Sequence, residues 1–261
     1  MTRILFRLVL SLGLALAPLG VAAEDEVGRD LLLGNNLADA EKAVKHYEAR
    51  VVADRESFDA RLGAARALNQ VIGLRTNGNL PLFDGLQDTP ANKAIWAELA
   101  PRALAHARKA LALRPASVDA ASILATSYMF FAASQGIVSS ILGGNAGEFK
   151  ANAQRVLDLD ASYDAGIGHT LLAGFYNVAP WPVGDSKLAR EHYEAAVRIA
   201  PDSVRNQYGL GVYWARESDA KRALPYFERA LANPCTASHS EKLLCDFLKK
   251  ESKRALATLG G

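Results

Sequence analysis

The sequence predicts an all-α solenoid of helix–turn–helix repeats with elongated loops between the helices. Three observations carry this. Ala189, Tyr193 and Ala196 return 34 residues later as Ala223, Phe227 and Ala230, so a small-x3-aromatic-x2-small pattern repeats at a fixed interval. The stretch "EHYEAAVRIAP" at 191–201 has an echo in "KHYEARVVADR" at 45–55. Between the two clean copies stand Pro201, then Leu210, Gly211 and Trp214, which end one helix and build the next. Small residues let two helices approach, the aromatic fills the space between them, and proline cannot continue the hydrogen-bond ladder. One helix pair cannot bury its apolar face alone, so such units stack.

In chain order, the first 23 residues read as a cleaved export leader. Arg3 and Arg7 precede the apolar run Leu8 to Leu19, and Val21-Ala22-Ala23 offers a cleavage site. The run is shorter than the roughly 20 residues a bilayer span needs, so no membrane span is expected after cleavage. No cysteine lies near that point, and the expectation is an exported, soluble protein in the periplasm. Residues 24–261 then form a single solenoid domain of about four helix pairs, with a helix before and after.

The opening copy runs Ala43, Tyr47, Arg50, Arg55, followed by Leu62, Ala64 and Ala65. The second runs Ala103, Ala107, Ala110, Pro115, then Leu124, Ala125 and Tyr128. A degenerate third runs Phe149, Ala153, Val156, Ala161, then Leu171, Leu172, Ala173 and Tyr176. Residues 235–256 read as a C-terminal capping helix that begins near Ser238 or Ser240, either a suitable N-cap. In an oxidising compartment Cys235 and Cys245 are expected to form a disulfide, worth about 2–3 kcal/mol on the chain-entropy argument. Their spacing is not Cys-x-x-Cys, and a metal site would have only His239 nearby to add.

Of the 30 basic residues, 28 remain once Arg3 and Arg7 are removed, against 28 acidic ones. A nucleic-acid binder needs a basic surplus, so that class is set aside. No Gly-x-x-x-x-Gly-Lys-Ser/Thr, His-Glu-x-x-His or Gly-x-Ser-x-Gly pattern occurs. "DLDASYDAG" at 158–166 lacks the twelfth-position glutamate of a calcium loop. No cofactor or metal is implied. His46 and His192 each precede a packing aromatic on a repeat helix, and their neighbouring glutamates point to another face.

The residues "AREHYEAAVRIAP" and "GLGVYWARESDAKRALPYFERALANP" closely resemble the tetratricopeptide repeat (TPR) family over 185–234, and more loosely back to about residue 37. Insertions at 73–90, 132–147 and 177–187 interrupt the period. Long loops, the turn "NVAPWPVGDSK" and an export leader together look like the periplasmic T components associated with TRAP transporters. That resemblance implies a solute-binding partner protein and a part in moving small, often apolar, ligands. Members of that family are often lipid-anchored, and this chain lacks the cysteine for it.

The first helix of each pair lines the concave face of a stacked solenoid. The inward positions are Arg66, Asn69 and Gln70; then Ser122, Thr126, Met129 and Phe130; then His169, Tyr176 and Asn177; then Arg205, Tyr208 and Arg216. Leu62 and Ser122 stand where a carboxylate clamp would place a cation or amide. A groove with an apolar middle and polar ends suits an amphipathic helix or a small amphiphile. The apolar insertion 129–147 either packs into the core or covers a ligand cavity. Residues 73–92 read as a surface loop open to a partner, and Trp181 as a packed loop anchor. The functional expectation is a non-enzymatic adaptor for a protein partner that also holds a small, partly apolar ligand. Its rivals are a passive envelope scaffold and an envelope enzyme built around His169.

Overall fold

The computed structural model describes residues 21–136, 139–140 and 143–261, with side chains from residue 26 onward. The expected leader therefore lies outside the described residues except for its last three. Among the described residues there are twelve helices and no strand. They are α1 (Val21–Leu33), α2 (Leu37–Ala53), α3 (Phe58–Thr76), α4 (Pro90–Leu113), α5 (Val118–Gln135), α6 (Asn145–Asp160), α7 (Tyr163–Val178), α8 (Ser186–Ile199), α9 (Val204–Arg216), α10 (Ala220–Ala232), α11 (His239–Leu243) and α12 (Cys245–Leu259). None is long and apolar enough to cross a membrane.

Short polar residues start most of the helices. Asn36, Ser57, Thr89, Ser117, Asp185, Ser203, Asp219 and Ser238 each accept a hydrogen bond from the backbone N–H three residues on, which satisfies one of the donors a helix start leaves free. Successive helices from α1 to α10 pack against one another, and the odd-numbered helices α1 to α9 also touch along the chain. They are the inner layer of five pairs, α1–α2 to α9–α10. The expected leading helix is thus itself half of a pair.

The repeat pattern marks the close contacts between pairs. The Tyr47 ring of α2 lies over Gly63 of α3, and the Tyr193 ring of α8 lies over Gly209 of α9. A Cβ on either glycine would come within 2.5 Å of the ring. The alanines of the outer helices (Ala43, Ala103, Ala107, Ala110, Ala153, Ala189, Ala196, Ala223 and Ala230) are all fully buried. The C-terminal cap is two helices rather than one, broken at Leu244. Ser238 is its N-cap, Cys235 and Cys245 are joined with an S–S distance of 2.02 Å, and α12 covers α9 and α10.

The solenoid closes on itself. Helix α11 touches α3, and Asn35 Nδ2 donates to Lys242 O at 3.1 Å. The α3–α4 connection, residues 77–89, crosses the concave side. Expected as an exposed loop, it is instead a strap docked on the far end of the molecule. Tyr208 OH donates to Pro81 O at 3.1 Å, and Arg216 Nη1 reaches Leu82 O at 3.5 Å and Gly85 O at 3.4 Å. Phe83 is buried edge-on to Phe227 with Arg254 over its ring, and Arg254 grips Asp84 through two bonds of 2.6 and 2.9 Å.

Candidate ligand cavity

Closure turns the concave groove into a cavity of about 790 Å³, within the range that ordinarily holds a small molecule. Its walls are the inner helices α3, α5 and α7 with an edge of α1. The strap and α11 cover part of the groove and leave it open to solvent on one side.

The cavity wall is mainly apolar, with its charged groups gathered toward one end. One cluster gathers Arg66 of α3, Asp119 of α5, and Tyr163 and Asp164 of α7, joined by Arg205 of α9 and by His239 and Ser240 of α11. The late residues of the inner helices supply Met129, Phe130, Leu171, Phe175 and Val178, with Leu80, Pro81 and Leu86 from the strap. Asp119 and Ala133 mark the two ends on α5, so at 1.5 Å per residue the cavity is roughly 20 Å long.

At the polar end, Arg66 donates to both oxygens of Asp119, and Tyr163 OH donates to the same carboxylate at 2.9 Å. Beside it, Asp164 pairs with the buried Arg205 at 3.2 Å and accepts from Ser240 Oγ at 2.5 Å. Burial opposes charge on Arg66, but the Asp119 carboxylate outweighs it and raises the guanidinium pKa. Burial, then the Asp119 charge, pushes Tyr163 up, so its phenol stays neutral. Burial, then the Arg66 charge, pushes His239 down.

The placement of Asp164 depends on an irregular backbone. Asp164, Ala165 and Gly166 lie in the left-handed region at φ 48°, 57° and 77°. Such a run costs about 1–2 kcal/mol for each residue carrying a Cβ. Arg205 Nη2 donates to Asp164 O at 2.5 Å, and Asn206 Nδ2 donates to Ala165 O at 2.9 Å, which holds the turn.

Eight of the inward residues read from the sequence line this cavity: Arg66, Asn69, Gln70, Ser122, Thr126, Met129, Phe130 and Arg205. Besides the paired arginines, Asn69 and Gln70 also have structural bonds. Asn69 Nδ2 donates to Ser127 Oγ at 2.9 Å, and Gln70 Nε2 donates to Leu32 O at 3.0 Å. Five of the expected groove residues lie elsewhere. Tyr208 and Arg216 hold the strap, and Asn177 faces a smaller depression with Arg216 and Phe83. His169 and Tyr176 stand outside the cavity with His192. The two His Nδ1 atoms are 2.9 Å apart, and Tyr176 stacks on His192 at 6.0 Å. The reason is register: the degenerate repeat leaves the offset of the third inner helix open by a residue, which is about 100° of rotation on a helix.

The stretch 129–147 does two jobs. Phe130 packs on Trp96, whose Nε1 donates to Thr76 Oγ1 at 3.2 Å, while Met129, Ala132, Ala133 and Asn145 face the cavity. Residues 137, 138, 141 and 142 lie outside the described ones. Trp181, expected to be packed, is 89% exposed on a turn closed by Gly184 N–H donating to Pro180 O and Asp185 N–H to Tyr176 O. Sequence reasoning missed Tyr163, Asp164 and the α11 residues, because nothing local marks them as inward-facing. Among the described residues no group of three or more His, Cys, Asp or Glu side chains is placed to hold a metal ion.

No protein-family model matches the chain, and no curated protein matches it in sequence. Similarity appears in three dimensions. The solved structure of TTC0263, a thermophilic TPR protein of Thermus thermophilus, superposes with a TM-score of 0.64 at 14% identity, covering 90% of this chain and 99% of that one. Human IFIT1 with m7Gppp-AAAA superposes with a TM-score of 0.58 at 16% identity, covering 91% of this chain and 46% of that one. The fold is that of a tetratricopeptide-like α-solenoid.

Proposed function

We propose that this protein is a non-enzymatic, exported TPR-type binding protein that holds one small amphiphilic molecule inside its closed ring. The carrying observation is the partly covered cavity, in which a cluster of hydrogen-bonding groups around Asp119 and Asp164 adjoins a mainly apolar wall. A helix-in-groove partner would have to displace the strap, whose anchors Phe83 and Tyr208 are buried. The partner protein therefore meets the outer surface. Trp181, a large aromatic held out on a hydrogen-bonded turn, is the anchor we assign to it. The leader-like N-terminus and the Cys235–Cys245 disulfide support a periplasmic setting. The resemblance in loops and leader supports a role beside a solute-binding protein in TRAP-type transport. An enzyme centred on His169 is not adopted, since that ring faces His192 outside the cavity.

Gly73 gives a clean test. It lines the cavity, and a Cβ added there meets nothing within 4 Å. Gly73→Phe is expected to fold with an unchanged or slightly raised Tm, since helical glycine is disfavoured by about 0.5–1 kcal/mol. It is also expected to fill the space. Native mass spectrometry of wild type taken from its own organism should show an adduct of defined mass that the variant lacks. A bare wild-type chain that also takes up no added amphiphile overturns the reading.

A further inference from the structure

The lining carries several ionisable side chains, and each ionised one already has an opposite partner. Arg66 is held by Asp119 and Arg205 by Asp164. Among the more exposed lining residues, Asp59 pairs with Arg114 at 3.6 Å, Asp88 with Lys93 at 3.1 Å and Arg29 with Glu26 at 3.9 Å. His239 sits beside Arg66, whose charge together with burial disfavours the imidazolium. Tyr163 stays a neutral phenol. The polar end is therefore rich in hydrogen-bonding groups, and each charge named here has its counter-charge.

This arrangement selects among amphiphiles. A carboxylate or ammonium head carried to the polar end leaves water and finds every opposite charge engaged. It must either stay unpaired or break an existing pair, stranding one member. Either event costs far more than one added hydrogen bond returns. A hydroxyl, ester or ketone head needs only a donor or acceptor. The His239 ring, Ser240, Ser122 and Thr126 stand on the cavity wall to provide one. The alternative occupant, a free fatty acid, would compete with Asp119 for Arg66. Tyr163 donates to Asp119 at 2.9 Å and fixes that carboxylate against displacement.

We infer that the cavity selects a neutral amphiphile, with its hydroxyl or carbonyl head at the Asp119–Asp164 end and its apolar body along Met129, Phe175 and the strap. This rests on the reading of the cavity as a ligand site.

The test is displacement of the neutral dye N-phenyl-1-naphthylamine from the full-length mature protein at pH 8 by three probes that share one chain. They are 1-dodecanol, dodecanoate and dodecylammonium, each below its micelle concentration. Dodecanol should displace the dye at least about tenfold more effectively than either charged probe, since an unpaired buried charge is worth more than a factor of ten. Asp119→Asn frees Arg66 and should shift the preference toward dodecanoate by about tenfold. Val52→Ala, at a position 81% exposed on α2 and away from the cavity, should leave the wild-type order intact and serves as the control. Tighter dodecanoate than dodecanol binding in wild type overturns the head-group inference while leaving the cavity reading standing. So does unchanged selectivity in a folded Asp119→Asn protein. If neither the dye nor any probe binds wild type, both fall together.

Discussion

Helices α7 and α9 hold equivalent inner places in successive pairs, yet the chain enters them differently. Before α9, "PDSVRNQ" places Ser203 in an extended conformation, and its side chain accepts from Asn206 N–H at 3.2 Å. Before α7, "DASYDAG" places Ser162 in a helical conformation bonded back to Asp160, with no cap bond forward, and three left-handed residues follow. The regular helix is buried from Val204 to Trp214 and works as scaffold. The irregular one carries Asp164 to the polar end of the cavity, where α9 steadies it through Arg205 and Asn206. A repeat keeps its local rules where it carries only its neighbours, and departs from them where a particular group must be aimed.

If that division is right, damage to the two regions has different consequences. The largest effect belongs to the regular pair. Phe227 is fully buried between α9, α10 and the strap, and Phe227→Ala should cost about 3–5 kcal/mol in urea unfolding. A loss under about 1 kcal/mol would show that α9–α10 is not the stiff scaffold. Reducing Cys235–Cys245, which closes ten residues of sequence, should remove about 2–3 kcal/mol. Limited proteolysis should then cut α11 and α12 first, and equal resistance with and without reductant would remove the capping role.

Two small substitutions sharpen the contrast by their signs. Gly209→Ala meets the Tyr193 ring and should destabilise by about 1–3 kcal/mol, as overpacking does. Ala165→Gly relieves a left-handed Cβ at φ 57° and should stabilise by about 0.5–1 kcal/mol. Tm shifts in the same direction for both would end the distinction. The smallest effect is pH-dependent and sits between α7 and α8. Burial first, then the neighbouring ring and Arg198, lowers the pKa of His169, and burial lowers that of His192. The native pair therefore favours neutral rings, while the unfolded chain binds protons at about 6.5. Its stability is present above that pH and is lost as pH falls through and below it. Tm should drop between pH 7.5 and 5.5, and His192→Gln should flatten the drop; an equal slope in the variant would assign the effect elsewhere.

Much of the scaffold was legible in the residues. The alanines and aromatics at 34-residue spacing are the buried inter-helix contacts, and Ser57, Ser117 and Ser203 cap the inner helices they precede. The site was half legible. Arg66, Met129 and Phe130 follow from helical periodicity on α3 and α5. On α7 the left-handed turn resets the register, so His169 and Tyr176 rotate out while Asp164 takes the inward place. Trp181 could not be placed, because a turn's hydrogen bonds fix its path and leave the exposure of its tip to the surroundings.

The sequence by itself determined the repeat helices from α2 to α10 and the small and aromatic residues that pack between them, since these rest on contacts within a helix or between neighbours, where spacing and side-chain size are enough. Only the tertiary structure decided that the groove is closed. The strap is held by bonds such as Tyr208 to Pro81 and Arg254 to Asp84, between residues 127 and 170 positions apart. No periodicity links such partners, because whether they meet depends on the small rotation that each of five pairs adds to the ring.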